Sequence, residues 1–386
     1  MYAIGLMSGT SLDGVDAALI EIDGSHTTTH VKLIAFTTQP MPEEIKERIN
    51  MACDPQTVTT DLICSLNFEL GYLFSEAVTA VLKKGNLSKE ALSFIASHGQ
   101  TIYHLPHPHA GQFASTLQIG EPAVIAFEQQ TTVVSNFRVM DMAAHGEGAP
   151  LVPYSEWLLY REENQHVALQ NIGGIGNVTV LKAGADINDV EAFDTGPGNM
   201  MIDEACQQLF SVPYDDGGGI ALQGVVQEAL LQELMTHPFI EKKPPKSTGR
   251  EEFGQAFVTA LLKKYQHLDP KDIIATFTMY TAKTIAVNYE RFIIGPLGRL
   301  DKAILGGGGA HNQALIHFLK ELLPEVEILL QEDLGFSSDA KEAIAFAIMG
   351  NETLHHQPSN VMSATGASCP VMLGNVTYSP MKGDSL

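Results

Sequence analysis

Short β-compatible apolar runs open each half of this chain, longer stretches with helical spacing follow them, and glycines sit where one pattern gives way to the other. Tyr2-Ala3-Ile4-Gly5-Leu6 is the first run, Val15 to Ile22 the second, ending at the turn pair Asp23-Gly24, and residues 31–37 the third, ended by Pro40 and Pro42. A three-stranded antiparallel start is predicted. Residues 61–84 carry Leu62, Leu66, Leu70, Leu73, Phe74, Ala77, Val81 and Leu82 at helical spacing, with Gly85-Asn86 as the stop. Ser88 then caps a short helix, and Phe94-Ile95-Ala96 is a buried strand leading into Ser97-His98-Gly99-Gln100.

His104, His107 and His109 alternate with prolines, which predicts a rigid extended loop rather than the i, i+4 spacing of a metal pair on a helix. Glu121 to Gln130 is predicted helical, Thr132 to Ser135 a strand, Arg138 to Pro150 a loop and Pro153 to Glu163 a helix. The opening pattern then returns. Val167 to Ile172, the glycine turn Gly173-Gly174-Ile175-Gly176-Asn177 and Val178 to Leu181 again make strand, turn and strand, which predicts two like domains facing each other across a cleft. Helices are expected from Met200 to Leu209 and over 224–236, 252–266 and 270–292. A strand at Lys302 to Leu305 runs through four glycines into a helix from Asn312 to Leu323. Glu327 to Leu330 is a strand, Asp339 to Gly350 a helix, and a small strand at Val371 to Leu373 returns to the first domain.

Composition narrows the class. The 386 residues are 45% hydrophobic and 18% charged, the proportions of a water-soluble globular chain of two domains or one large one. A membrane span is not expected, since apolar runs stay short of the roughly 18 residues one needs, and the first residues lack a signal peptide's basic start. Cys53, Cys64, Cys206 and Cys369 form no C-x-x-C pair, which fits a reducing cytoplasm. A formal charge of −22 repels nucleic acid and anionic membranes, so any anionic ligand has to be held by a local device.

Candidate devices are present. Gly9 and Gly14 have Walker A spacing, but Val15 and Asp16 stand where Lys and Ser/Thr are required, and a strand follows instead of a helix. What remains is a hairpin whose N–H groups, with the hydroxyls of Ser8, Thr10 and Ser11, either cradle an anion or merely turn the chain. Asp194 precedes Gly196-Pro197-Gly198 and a helix, where α/β active-site groups collect and where capping aspartates are also common. Gly306 to Gly309 allow a ligand close to the backbone at a helix N-terminus. Lys242 to Arg250 is a locally basic loop, either solvated or in contact with an anion.

Eight blocks in order, MSGTSLDGVD (7–16), SHGQTIYH (97–104), GEGAPLVP (146–153), NIGGIGNVT (171–179), FDTGPGN (193–199), PPKSTGRE (244–251), GGGGAHN (306–312) and KEAIAFA (341–347), make the chain resemble the anhydro-N-acetylmuramic acid kinases of the sugar kinase, heat-shock protein and actin superfamily. The resemblance implies an α/β fold of two ribonuclease-H-like (actin-like ATPase) domains with mixed sheets flanking an ATP cleft. We expect residues 1–130, completed by 352–386, to form the first domain and 131–351 the second. It further implies ATP contacts from Gly9, Thr10, Ser11, Leu12, Asp13, Gly14, Val15 and Asp16, from Gly173 and Gly174, and from Gly306, Gly307 and Gly308. Asp194 is implied as catalytic base; Asp13 is the nearby carboxylate that either orients Mg2+ through water or serves only the turn, and His98, Arg138 and Glu342 are expected to hold sugar hydroxyls, with a solvated helix face as the other reading of Glu342. The implied substrate is anhydro-N-acetylmuramic acid, and the implied assembly a cytoplasmic homodimer. The chain departs from the family pattern at His145 and Glu147, where Gly-Gly-Gln-Gly is expected, and at Asn136, where Asp is expected.

Overall fold

The computed structural model describes residues 1–9, 11–108, 111–335 and 339–380. Its strands follow in chain order as β1 (Tyr2–Ser8), β2 (Gly14–Asp23), β3 (His30–Pro40), β4 (Leu92–Leu105), β5 (Ser115–Ile119), β6 (Val133–Ser135), β7 (Val167–Ile172), β8 (Ile175–Leu181), β9 (Glu191–Pro197), β10 (Lys302–Gly306), β11 (Glu327–Leu330) and β12 (Asn375–Thr377). Contacts divide the chain into unit 1, Met1–Leu159 with Gly335–Leu386, and unit 2, Tyr160–Leu334.

Both units follow one strand plan. In unit 1, β1, β2 and β3 form an antiparallel meander, and β4 and then β6 add in parallel on the other side of β1. In unit 2, β7, β8 and β9 repeat the meander, and β10 and then β11 add in parallel beyond β7. The order β3-β2-β1-β4-β6 thus matches β9-β8-β7-β10-β11 strand for strand, and each sheet is mixed, of the ribonuclease-H type. Parallel neighbours need crossover connections, and helices supply them.

In unit 1 the crossover helix Thr60–Lys84 starts at Thr59, whose side chain accepts from the Leu62 N–H, and buries Leu66, Leu70, Phe74, Ala77 and Val81 in a core shared with Ile4, Val15 and Ile95. The helix Lys341–Leu354 covers the other face of β1. It comes so close that a Cβ on Gly5 would lie 1.7 Å from the Ala343 carbonyl oxygen, so glycine there is a packing requirement. In unit 2 the helix Pro270–Tyr289 has Pro in its first turn, an Asp269 cap on the Lys271 N–H at 2.8 Å, and buried residues around most of its circumference.

The structure moves several expected boundaries. Residues 131–159 lie in unit 1, because β6 completes the parallel side of its sheet, and 339–351 do so because their helix packs on β1. The returning strand is β12 at Asn375–Thr377, paired with β6, rather than 371–373. Within the expected loop after Arg138, Val139–Ala143 is a short helix. β4 runs on to Leu105 and takes His104 with it, because β5 pairs alongside; that partner, like the helix Glu43–Cys53, carries too weak an apolar pattern to be legible. His109 lies outside the described residues.

Candidate functional site

The β1–β2 hairpin turns several of its described side chains inward. Leu12 and Val15 turn into the core, 7% and 0% exposed, and the Ser8 hydroxyl is used inside the protein, donating to Gln100 Oε1 at 2.6 Å. Leu12 has φ +59° and donates its N–H to the Gly9 carbonyl at 3.4 Å. Ser11 and Asp13 are exposed, and a Cβ on Gly9 would meet nothing nearer than 3.8 Å, so the protein's own packing does not demand a glycine there. Asp16, third residue of β2, accepts from Thr38 Oγ1 at 2.6 Å; burial pushes its carboxyl up, and Asp339 and Asp13 push the same way. Gly14 opens β2 against Pro40. Thr10 lies outside the described residues.

The same unit carries the expected sugar contacts. Arg138 donates from Nε to His98 Nε2 at 2.9 Å and from Nη1 to the Gly148 carbonyl at 2.7 Å. His98 Nδ1 meets the Gly99 carbonyl at 2.8 Å, and the ring lies 4.7 Å from that of Phe346. Burial, and then the Arg138 charge, lower the imidazole to about 3, so it is neutral, with Nδ1 as donor and Nε2 as acceptor. At 3% exposure, with both nitrogens engaged, His98 holds Arg138. Glu342 lies in the first turn of the helix Lys341–Leu354; surrounding protein raises its carboxyl, opposed by Lys341 and Arg138, but the residue is open to solvent and the effect is correspondingly screened.

In unit 2 the Gly173-Gly174 turn is tied to the helix Met200–Phe210. Gly174 O accepts from Gly198 N at 2.9 Å and Met200 N at 3.1 Å, and Gly173 O accepts from Asn199 N at 2.7 Å. Added Cβ atoms on Gly173 and Gly174 would meet nothing nearer than 3.8 Å and 3.5 Å, so this turn too is open on one side. Beneath it Gln170 Nε2 donates to the Asn177 carbonyl at 3.0 Å and to Thr195 Oγ1 at 3.1 Å, while Tyr289 Oη donates to Gln170 Oε1 at 3.1 Å. This buried network sets the strand that carries Asp194, opposite Asn177 of β8. Asp194 Oδ2 accepts from the Thr248 N–H at 2.9 Å. Burial pushes its carboxyl up, opposed by that hydrogen bond and by the Lys246 ammonium.

Next to the turn, unit 2 contains a cavity of about 470 Å³ lined by Asn199, Asp203, Tyr214, Gly308, His311 and Asn312 among others. Gly308 alone of Gly306, Gly307 and Gly308 lines it. A Cβ on Gly306 would lie 2.8 Å from the Gln331 side chain, and Gly307, at φ +80°, would meet Asn171 Oδ1 at 2.7 Å, so these two serve packing and the turn. Asp203 follows Asn199 by one helical turn, its N–H donating to the Asn199 carbonyl at 2.8 Å, so both side chains face the cavity. Burial pushes the Asp203 carboxyl up to about 6. Among the described residues no three His, Cys, Asp or Glu side chains form a metal cage. Asp13 and Asp339 both act on the Asp16 carboxyl, so negative charge collects at the start of β2.

A model of the anhydro-N-acetylmuramic acid kinase family matches residues 1–379. The chain belongs to that family. It is 57% identical over 383 residues to anhydro-N-acetylmuramic acid kinase of Clostridioides difficile (strain 630), covering 99% of this chain and 100% of the relative. The enzyme of Bacillus cereus (strain Q1) is 56% identical over 380 residues, 98% of this chain and 99% of its own. Among solved structures, the activator of the 2-hydroxyisocaproyl-CoA dehydratase from Clostridium difficile with bound ADPNP aligns over 92% of this chain and 96% of its own at 11% identity, with a TM-score of 0.45.

Two departures from the anhydro-N-acetylmuramic acid kinase pattern fall at left-handed backbone positions. His145 stands where glycine is expected and has φ +67°, the left-handed region that glycine adopts without cost. Asn136 stands where Asp is expected, at φ +63°, which either tolerates; its amide donates to Asn375 Oδ1 at 3.0 Å. Glu147 faces His107 Nε2 at 3.2 Å. Sequence reasoning missed Gln170, Tyr289, Asp203, Tyr214 and His311; Gln170 is a polar residue within the buried strand β7 and His311 falls inside the 306–312 block, but nothing local marks the others.

Proposed function

We propose that this kinase opens the 1,6-anhydro ring of anhydro-N-acetylmuramic acid with water and phosphorylates the freed 6-oxygen from ATP, giving N-acetylmuramic acid 6-phosphate and ADP in peptidoglycan recycling. The observation that carries the reading is Asp194: a half-buried carboxylate, fixed by the Thr248 N–H, on the strand beside an open glycine hairpin. As base it takes a proton from the water that attacks the anomeric carbon; the anhydro C–O bond breaks, and its oxygen takes the γ-phosphoryl group. A positioned base contributes ~10²–10⁴-fold.

Gly9 to Asp16 and Gly173 and Gly174 bind phosphates, with room beside Gly9, Gly173 and Gly174 for an anion to approach, and the cavity at Gly308 takes the nucleoside. Asp13 and Asp16 would hold Mg2+ through water, and the cation would neutralise charge on the transferring phosphoryl group. Arg138, held by His98, and Glu342 bind the sugar. Exposed Phe68 (53%), Tyr72 (52%) and Phe127 (62%), on the neighbouring helices Thr60–Lys84 and Pro122–Gln129, form the face of a homodimer, and light scattering of a Phe68→Glu variant should then report a monomer. The free thiols of all four cysteines fit a cytoplasmic setting.

The test is ATP consumption with anhydro-N-acetylmuramic acid, N-acetylmuramic acid and N-acetylglucosamine. Turnover confined to the anhydro sugar is expected; turnover only with the other two would make the protein a kinase of another sugar.

A further inference from the structure

The basic loop Lys242 to Arg250 contains a lysine that the proposed reaction leaves without a role. Lys246 is 9% exposed, and its ammonium lies 4.6 Å from the ring centroid of Phe239 and 5.1 Å from that of Phe292. Phe292 belongs to a π-turn at Glu290–Ile294 that ends the long helix of unit 2, a distortion that recurs at functional sites. Lys246 Nζ donates to the Phe239 carbonyl at 3.4 Å. Two ring faces and a carbonyl favour a positive charge where burial alone opposes one. An ammonium caged in this way is not deployed toward solvent to collect anions.

The same loop grips Asp194 on two sides. The Asp194 N–H donates to the Lys246 carbonyl at 3.1 Å, and the Thr248 N–H donates to the Asp194 carboxylate at 2.9 Å. The other charged groups around Lys246 are paired among themselves: Arg291 with Glu241 at 2.9 Å, and Lys242 with Glu252 at 2.9 Å. Lys246 is therefore the cation left to act on Asp194, and its charge opposes the upward push that burial exerts on that carboxyl.

We infer that Lys246 is a positioning residue for the base: its caged ammonium keeps Asp194 ionised while its loop aims the carboxylate. This rests on Asp194 being the base. A carboxylate loses affinity for its proton beside a fixed cation, and the coupling is strong where water is scarce. Turnover falls as pH drops and Asp194 takes up its proton, so removing the cation brings that loss on at higher pH. Lys246 itself, lowered to about 8 by burial, gives up its proton only where Asp194 is already ionised.

The experiment is a pH–rate profile of wild type, Lys246→Met, which fills the same apolar slot, and Lys246→Arg, which restores the charge. In the Met variant the acid limb should move up by ~1 pH unit, a ~tenfold loss of kcat on that limb, while KM for ATP and the rate above pH 8 stay within ~twofold. The Arg variant should bring the limb back. An unmoved limb in Lys246→Met, with Asp194→Asn inactive, overturns the role of Lys246 and leaves the base in place; an active Asp194→Asn overturns both. Should the Met variant not fold, carbon-detected NMR of wild type reads the same coupling. The Asp194 carboxyl resonance should shift a second time as Lys246 titrates near pH 8, and a flat trace there overturns the inference.

Discussion

In unit 1 the residues 9–13 join β1 to β2, whereas in unit 2 Gly173-Gly174 alone joins β7 to β8. Among its described residues the first connection shows Leu12 N to Gly9 O and Met41 N to Asp13 O, both at 3.4 Å. The second is bound to the next helix by three bonds of 2.7–3.1 Å and stands on the Gln170–Tyr289–Thr195 network. The acids differ as well. In unit 1 the carboxylate is on the second strand, Asp16, facing Thr38 of the third; in unit 2 it is on the third strand, Asp194, facing Asn177 of the second. One strand plan thus carries a five-residue connection with its acid on the second strand, and a two-residue turn tied to a helix with its acid on the third; the proposed function gives the first acid to a hydrated cation and the second to a proton.

The largest effect that this contrast predicts is at Asp194. Asp194→Asn should retain ATP binding and lose at least ~10²-fold in kcat. Asp16→Asn should instead make turnover demand more Mg2+, and a metal titration of both variants checks the division; similar behaviour of the two would erase it.

Glycine substitutions separate rigidity from openness. Gly198→Ala puts a Cβ 2.2 Å from the Gly173 carbonyl and should cost about 1–3 kcal/mol of stability, read by denaturant titration. Gly9→Ala meets nothing nearer than 3.8 Å and should leave stability within about 0.5 kcal/mol while weakening ATP binding ~tenfold, because the methyl occupies the anion's place. Equal stability losses at both positions would show that the two turns are held alike.

A smaller effect is expected at the cavity wall. Asp203 lies in the first turn of its helix, ~4.5 Å along the axis from Met200, and lines the cavity that the proposed function gives to the nucleoside, where a ribose hydroxyl suits a carboxylate acceptor. Asp203→Asn should weaken ATP binding ~tenfold and abolish any preference for ATP over 2′-deoxyATP. In wild type the affinity should fall as pH drops through about 6, where the carboxylate is lost. Calorimetry at pH 5 and pH 8 checks both.

Much of this was legible in the residues. Apolar runs and glycine turns marked both hairpins, and the 61–84 periodicity marked the crossover helix that begins at Thr60. Less legible was what depends on a distant partner. β5 and the far end of β4 define each other, β12 exists because β6 offers an edge, and the unit boundary falls after Leu159 because β6 belongs to the first sheet. His98 was expected as a sugar contact, and no local pattern announced that its nitrogens would meet Gly99 and Arg138.

The sequence by itself determined the family, the duplicated strand plan and the identity of the acidic residues, because periodicity, glycine spacing and ordered motifs are local properties of a chain. Only the tertiary structure decided what each of those residues faces. Whether Lys246 meets solvent or two aromatic rings, which of four consecutive glycines lines a cavity, and whether Gly5 is a turn or a packing contact are set by segments far away in sequence. The physical reason is that burial, and with it a side chain's charge state and reach, comes from the elements that pack around a residue, and residue type records none of that.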